Sequence, residues 1–292
     1  MWLVFTLISG LFTAAYYWGN QIVKLNPSAF MFYRGIVPVI VLLPFLPFVH
    51  FINDWHFYAL CLLQGGIISF IDYINFIAMN KWGTKAVSAL RPFSFVLVFA
   101  FWTILRPHQF ISYLHNPLHL LIILLSAGGI IYAVSSFSFS KETKKMMIFL
   151  LPFFVMSAVC DVLNKLCMGY VEEGKAIYGS YFYILITAST IAIVNFVIFL
   201  QQGNSAQELY HSKNLKCTPL FLLLIGAMVS KNLAMFETHN PSFVTAGLYS
   251  YILWIFVSAP LLKYFKIKTD YVSMPLHRIF ILLFSVVLLA LL

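Results

Sequence analysis

Charge is what this chain has least of. Asp, Glu, Lys and Arg make up 9% of its 292 residues, against about 25% in an average soluble domain. Too few such side chains are present to cover a soluble surface, which excludes cytoplasmic enzymes, secreted modules and disordered proteins. Acids are the scarcer sign, with nine Asp+Glu against 18 Lys+Arg. The cations lie in short clusters between apolar runs, the way membrane proteins orient themselves, and not in a stripe that neutralises phosphates. No nucleic-acid partner is expected. The four cysteines show no Cys-x-x-Cys, and Cys61, Cys160 and Cys167 stand in apolar runs, where Cys acts as a small hydrophobe. Also missing are Gly-x-x-x-x-Gly-Lys-[Ser/Thr], His-Glu-x-x-His, Gly-x-Ser-x-Gly and Gly-x-Gly-Asp. Without these, neither ATP hydrolysis nor intramembrane hydrolysis has a signature. His115 and His119 are four apart, but no Asp, Glu or Cys joins them, so neither a metal nor a cofactor is expected.

What is present is hydrophobic: 62% of residues, with 18% aromatic and a mean hydropathy of +0.91. A helix needs roughly 20 apolar residues to cross the hydrocarbon core. Ten segments qualify: 2–22, 28–49, 57–79, 86–105, 117–137, 147–169, 178–200, 219–237, 243–263 and 276–292. The chain therefore reads as an all-α polytopic membrane protein. The N-terminal run Met1-Trp2-Leu3-Val4-Phe5 has no basic region before it and reads as a retained first span. Connections are short; the longest run from Leu105 to Pro117 and from Gln201 to Thr218. Pro38, Pro44 and Pro47 should kink the second helix and leave carbonyls for neighbours to satisfy. Gly65-Gly66 and Gly128-Gly129 offer points of close helix approach.

Ten divides into five and five, giving halves 1–140 and 141–292 joined at Lys141-Glu142-Thr143-Lys144-Lys145. At an offset of 144, Thr13-Ala14 falls on Ser157-Ala158 and Asn20 on Asn164. At an offset of 157, Asn75 falls on Asn232, Val87 on Val244, Ser88 on Thr245 and Ala89 on Ala246. Because five is odd, the second half would lie inverted, and inverted repeats are a recurrent plan of secondary transporters.

Three elements carry a family resemblance: Trp18-Gly19-Asn20 with Lys24, Ser28-Ala29-Phe30 through Arg34, and the run Trp82-Gly83-Thr84-Lys85-Ala86-Val87-Ser88-Ala89-Leu90-Arg91-Pro92-Phe93. In these the chain resembles the drug/metabolite transporter superfamily, in particular its ten-helix EamA-type members. The Glu-Arg pair common after helix 4 in that family is replaced by Arg106-Pro107. The resemblance implies ten helices, alternating access and no ATP, and says nothing of the substrate.

Loop lysines give an orientation. Eleven of them, from Lys24 and Lys81 to Lys266 and Lys268, fall on the side opposite the N-terminus, against Arg106 and Lys175 on its own side. The positive-inside rule then puts both termini outside the cytoplasm, whereas the resembling family usually keeps them inside. The setting would be a plasma membrane such as the bacterial inner membrane, with the chain a monomer or homodimer.

Ionisable groups inside spans are costly, about 2.5–3.5 kcal/mol each on insertion scales, so each needs a reason. Asp72 lies ten residues before Trp82 and Arg91 nine after. An antiparallel hairpin brings both to a depth of roughly 13–15 Å, as a structural ion pair or a substrate and proton site, with Asn75 one turn away. Helix 6 carries Asp161, Asn164 and Lys165 at i, i+3 and i+4, so Asp161 is expected to pair with Lys165. Helix 8 adds Lys231 and Asn232, and helix 1 adds Asn20 and Tyr17, the latter either stacking on substrate or belonging to the interfacial belt. Two polar half-sites follow: Asn20, Asp72, Asn75 and Arg91 in one, Asp161, Asn164, Lys165, Lys231 and Asn232 in the other. Asp72 and Asp161 are the candidates for proton coupling. Helices 3–4 and 8–9 should line the cavity, with 5 and 10 outside it. The expected function is secondary transport of a small polar or zwitterionic metabolite, such as an amino acid or an amino-acid-bearing cofactor. The alternatives are a receptor or structural subunit without transport, and an intramembrane enzyme.

Overall fold

Hydrophobic sequence without alternation folds here as helix throughout. The computed structural model describes residues 1–22, 27–82, 93–134, 141–209, 218–264 and 276–289. Among them no strand occurs. The helices are α1 (Trp2–Ile22), α2 (Pro27–Leu42), α3 (Trp55–Trp82), α4 (Phe93–Leu105), α5 (Pro107–His115), α6 (Pro117–Val134), α7 (Lys141–Gly169), α8 (Ala176–Gln201), the single turn α9 (Ala206–Leu209), α10 (Thr218–Glu237), α11 (Pro241–Leu248), α12 (Ser250–Tyr264) and α13 (Leu276–Leu289).

Five stretches are long and apolar enough to cross a membrane: Ala29–Phe48, Trp55–Asn75, Lys145–Gly169, Ala176–Gln201 and Thr218–Glu237. A sixth arises if α4 and α5, bent by 105° at Arg106, count as one span. The remaining apolar helices are shorter: Trp2–Tyr16, Pro117–Ala133 and His277–Leu289. Large apolar side chains such as Ile40, Leu63, Phe70, Leu124, Ile193 and Phe284 stand exposed on the outside, as lipid contact requires and water does not tolerate.

Two sequence expectations are corrected. The connection 105–117 is largely helical, because Pro107 starts α5 at its first position, where the missing N–H costs nothing. The segment 243–263 is not one helix. At Tyr249 the hydrogen bonds tighten to i−3, from Tyr249 N–H to Ala246 O (3.1 Å) and from Ile252 N–H to Tyr249 O (3.0 Å), which divides α11 from α12. The prolines of the second span act through a change of helix type: α2 passes into a 3-10 helix over Leu43–Phe48. At that junction the Tyr181 hydroxyl of α8 donates to Leu42 O at 2.9 Å, so a neighbour satisfies the carbonyl.

Packing pairs helices from the two halves of the chain. The most extensive contacts are α1 with α10, α2 with α8, α3 with α7 and α6 with α13; α3 with α8, α1 with α12, α4 with α7, α4 with α11 and α2 with α10 also pack. The α2–α8 crossing is set by Gly35, where an added Cβ would sit 2.6 Å from Ala188 O. Of the Gly pairs expected to mark close approach, Gly65 meets Thr190 and Gly129 meets Ser285, while Gly66 and Gly128 face open space among the described residues. One glycine of each pair points inward and the other outward, as their 100° separation on a helix dictates.

Candidate functional site

Where α1, α3, α4, α7, α10, α11 and α12 converge they leave a cavity of about 190 Å³. From α7 it receives Phe153, Ser157 and Asp161, spaced i, i+4 and i+8 along one face. Asp72 and Ile71 reach it from α3, Ser94 from α4, Lys231 from α10, Thr245 and Leu248 from α11, and Thr13 from α1. Tyr249 and Tyr251, on either side of the tightened turn, complete the wall. Among the described residues, none of the lining comes from α6 or α13.

Asp161 is the hub of this cavity. Its Oδ1 accepts from Lys231 Nζ at 2.6 Å, and its Oδ2 accepts from the Thr245 hydroxyl at 2.8 Å. One carboxylate thereby ties α7 to α10 and α11, with both oxygens engaged in charge-assisted or hydroxyl bonds. Opposite, Asp72 pairs with Arg34 of α2. The Ser94 and Tyr249 hydroxyls bond at 2.7 Å. Each acid facing the cavity thus has one cation: Lys231 within the lining, and Arg34 behind it.

These pairings correct one expectation. Asp161 takes Lys231 as partner, not Lys165. Lys165 Nζ instead donates to the carbonyls of Met235 (2.8 Å) and Phe236 (3.4 Å) at the end of α10. Those carbonyls belong to the last turn, have no intrahelical donor and carry the negative end of the helix dipole, so they hold the ammonium once Lys231 has taken Asp161. The described partner of Asp72 is Arg34 of the neighbouring α2; Arg91, the partner expected from the sequence, lies outside the described residues, as do the side chains of Tyr17 and Asn20.

Asn164 and Asn232 turn away from the cavity. Asn164 donates to Asn232 Oδ1 at 2.9 Å, and Asn232 donates to the Ser180 hydroxyl at 3.1 Å, a buried clamp joining α7, α10 and α8. They expose 1% each. On the other side Asn75 is buried one turn from Asp72, and its Oδ1 has no hydrogen-bond partner among the described residues.

Arg34, Ser94, Thr245, Tyr249 and Tyr251 belong to the site and were not among the sequence candidates. Thr245 carried a signal, since the 157-residue offset sets it against Ser88. Arg34 stood in the motif run as an unexplained charge within a span. Nothing in the sequence marks the tyrosines among 16 of their kind. No protein-family model matches this chain, and no curated protein does.

Proposed function

We propose that the chain is a secondary transporter that moves a small polar or zwitterionic metabolite by alternating access, without ATP. The observation that carries this reading is the Asp161–Lys231–Thr245 constellation, a charged group of three helices that lines a central polar cavity. Buried ion pairs are weak devices for stability, since desolvation offsets much of their attraction. An ion pair facing a cavity can do something else: it can open to let a substrate's own charges replace its partners. A zwitterion presents its carboxylate to Lys231 and its ammonium to Asp161 or Asp72. The volume of the cavity lies below the roughly 300–1,000 Å³ of drug-sized pockets, which suits a metabolite of amino-acid size. When substrate takes Lys231, the freed Asp161 can accept a proton, which links proton and substrate occupancy.

The inverted-repeat reading draws support from the packing. Exchange α1 with α7, α2 with α8, α3 with α10, α4 with α11–α12, and α6 with α13. The α1–α10 contact then becomes α7–α3, α1–α12 becomes α7–α4, and α3–α8 becomes α10–α2, while α2–α8, α4–α11 and α6–α13 map onto themselves. A plan of ten crossings in two inverted halves, 1–140 and 141–292, accounts for that pattern, and with it the likeness to the ten-helix drug/metabolite transporters. To the five long spans this plan adds α4, α11–α12 and the shorter apolar helices α1, α6 and α13. The tightened turn at Tyr249 sits where a hinge would let α11 and α12 move separately. By the lysine count, both termini would lie outside the cytoplasm.

The test is flux in proteoliposomes against a panel of labelled amino acids, amines and carboxylates, with counterflow to detect exchange. Saturable uptake of one compound, lost in Asp161→Asn and Lys231→Met, is the expected result. No uptake by correctly folded protein across the panel, under pH gradients of either sign, would favour the structural-subunit reading.

A further inference from the structure

A second cavity, larger than the first at about 310 Å³, opens where the end of α4 meets the ends of α7 and α10. Its polar lining consists of Arg106, Gln109, Lys165, Tyr170 and His239, with Trp102 as its floor. Among the described residues no carboxylate lines it. Lys165 spends two donors on the carbonyls of Met235 and Phe236, and an ammonium has three. Arg106 lies 5.9 Å above the Trp102 ring, exposed, and no described acid is within ion-pair distance of it. Trp102 Nε1 donates to Gln109 Oε1 at 2.7 Å, which leaves the Gln109 amide N–H groups as the outward end. Glu237 exerts a field on Lys165 but does not line the cavity. The space therefore offers two cations and several neutral donors to whatever enters.

We infer that this cavity is a vestibule that captures the carboxylate or phosphate group of a soluble metabolite before it reaches the central site. Lys165 and Asp161 are four residues apart on α7, about 6 Å along the helix, so the vestibule lies one turn from the cavity that holds Lys231. An anionic group held by Arg106 and Lys165 has its next cation within one step. This assignment rests on the transport reading and narrows it to substrates that bear an oxyanion. It also places capture on the face that carries the N-terminus in the inverted plan, the side poor in loop lysines, where the described Lys175 is already paired with Glu172.

The experiment is calorimetric titration of inorganic phosphate, and separately of acetate, into the full chain held in neutral phosphatidylcholine nanodiscs. Saturable binding of at least one of the two is expected. Arg106→Gln changes an exposed side chain and should weaken that binding about fivefold or more, as removal of one of two nearby charges implies. Lys165→Met should abolish it. Equal affinity in wild type, Arg106→Gln and Lys165→Met would overturn the inference, as would the absence of binding. Displacement of the bound anion when phosphatidylglycerol replaces part of the lipid would make a headgroup the occupant and overturn the capture role. Binding with these properties in a protein that shows no flux would leave the anion site standing and refute the transport reading instead.

Discussion

Replacing Lys231 by Met separates the observed charge network from the one that helix periodicity suggests. In Lys231→Met the Asp161 carboxylate, whose side chain is 10% exposed, retains only the Thr245 hydroxyl. Removing one partner of a buried pair costs about 3–5 kcal/mol. Lys231 is 25% exposed and Thr245 remains, so the lower end, about 3 kcal/mol, is expected. Lys165→Met removes a cation from the carbonyls of Met235 and Phe236, which water can reach at a helix end, and should cost about 1–2 kcal/mol. Asp161→Asn leaves an ammonium on a flexible stem that can turn toward water, and falls between the two. The double variant Asp161→Asn with Lys231→Met leaves no buried charge and should recover most of the loss. The assay is thermal unfolding in detergent followed by tryptophan emission, where about 3 kcal/mol lowers the midpoint by something like 6 °C. If Lys165→Met is the more damaging single change, or the double variant fails to recover, the Asp161–Lys231 pair is not the one that holds these helices.

Further expectations follow from other contacts. Gly35→Ala should cost about 1–3 kcal/mol, since the new methyl meets the backbone of Ala188 and Ala192 at the α2–α8 crossing, whereas Gly66→Ala faces open space and should leave the unfolding midpoint within a degree or so. Asn164→Leu leaves Asn232 Oδ1 without its donor and should cost about 0.6–1.7 kcal/mol, the range for interhelical bonds in membranes; an unchanged midpoint would mean that water replaces the donor. Asp54 caps α3, accepting from the His56 N–H at 2.8 Å, and this bond together with the His56 ring holds its carboxyl below the usual 3.8. A lowered folded-state pKa contributes stability above the unfolded value and loses it as pH falls through the folded one. The stability difference between wild type and Asp54→Ala should therefore be constant from pH 6 to 5 and shrink below pH 3.8, as measured by thermal unfolding at each pH.

How far the sequence could be read depends on the direction of the question. Along the helix axis it was legible. Apolar runs of fixed length placed the helices, with α10 and α8 within a few residues of their expected limits. The depth arithmetic set Asp72 well inside its span, where it lines the cavity; Asp161 and Lys231, expected in a separate half-site, line that same cavity. Departures came at single residues that change helix type: Pro107 at the start of α5, Pro44 and Pro47 in the 3-10 segment, and the turn at Tyr249, two residues after Gly247 in a run read as one continuous helix.

Around the axis the sequence was nearly silent. In a soluble helix an apolar stripe marks the inward side, because water keeps the opposite face polar. Lipid enforces no such face, and with apolar residues on all sides a membrane helix gives little sign of which side meets its neighbours. Asn164 and Asp161 are three residues apart, yet the 60° between them sends one into a clamp with Asn232 and Ser180 and leaves the other facing the cavity. The local rule for i, i+4 pairs assumes an exposed helix with no rival partners. Within a bundle, Lys231 and the open carbonyls of α10 compete for the same groups from another chain segment seventy residues away. The offset matches in the sequence offered the one azimuthal hint: Asn75 was set against Asn232, and both are buried here, while Thr245, set against Ser88, lines the cavity. Under the proposed exchange of roles between the halves, Asn75 should gain in the opposite state the role that Asn232 has here. Cysteine pairs test this directly: Asn164→Cys with Asn232→Cys should cross-link in the state described here. Asn20→Cys with Asn75→Cys should cross-link only when saturating substrate or an imposed gradient shifts the protein to the other state. Equal cross-linking of both pairs under every condition would mean that the two halves do not exchange roles.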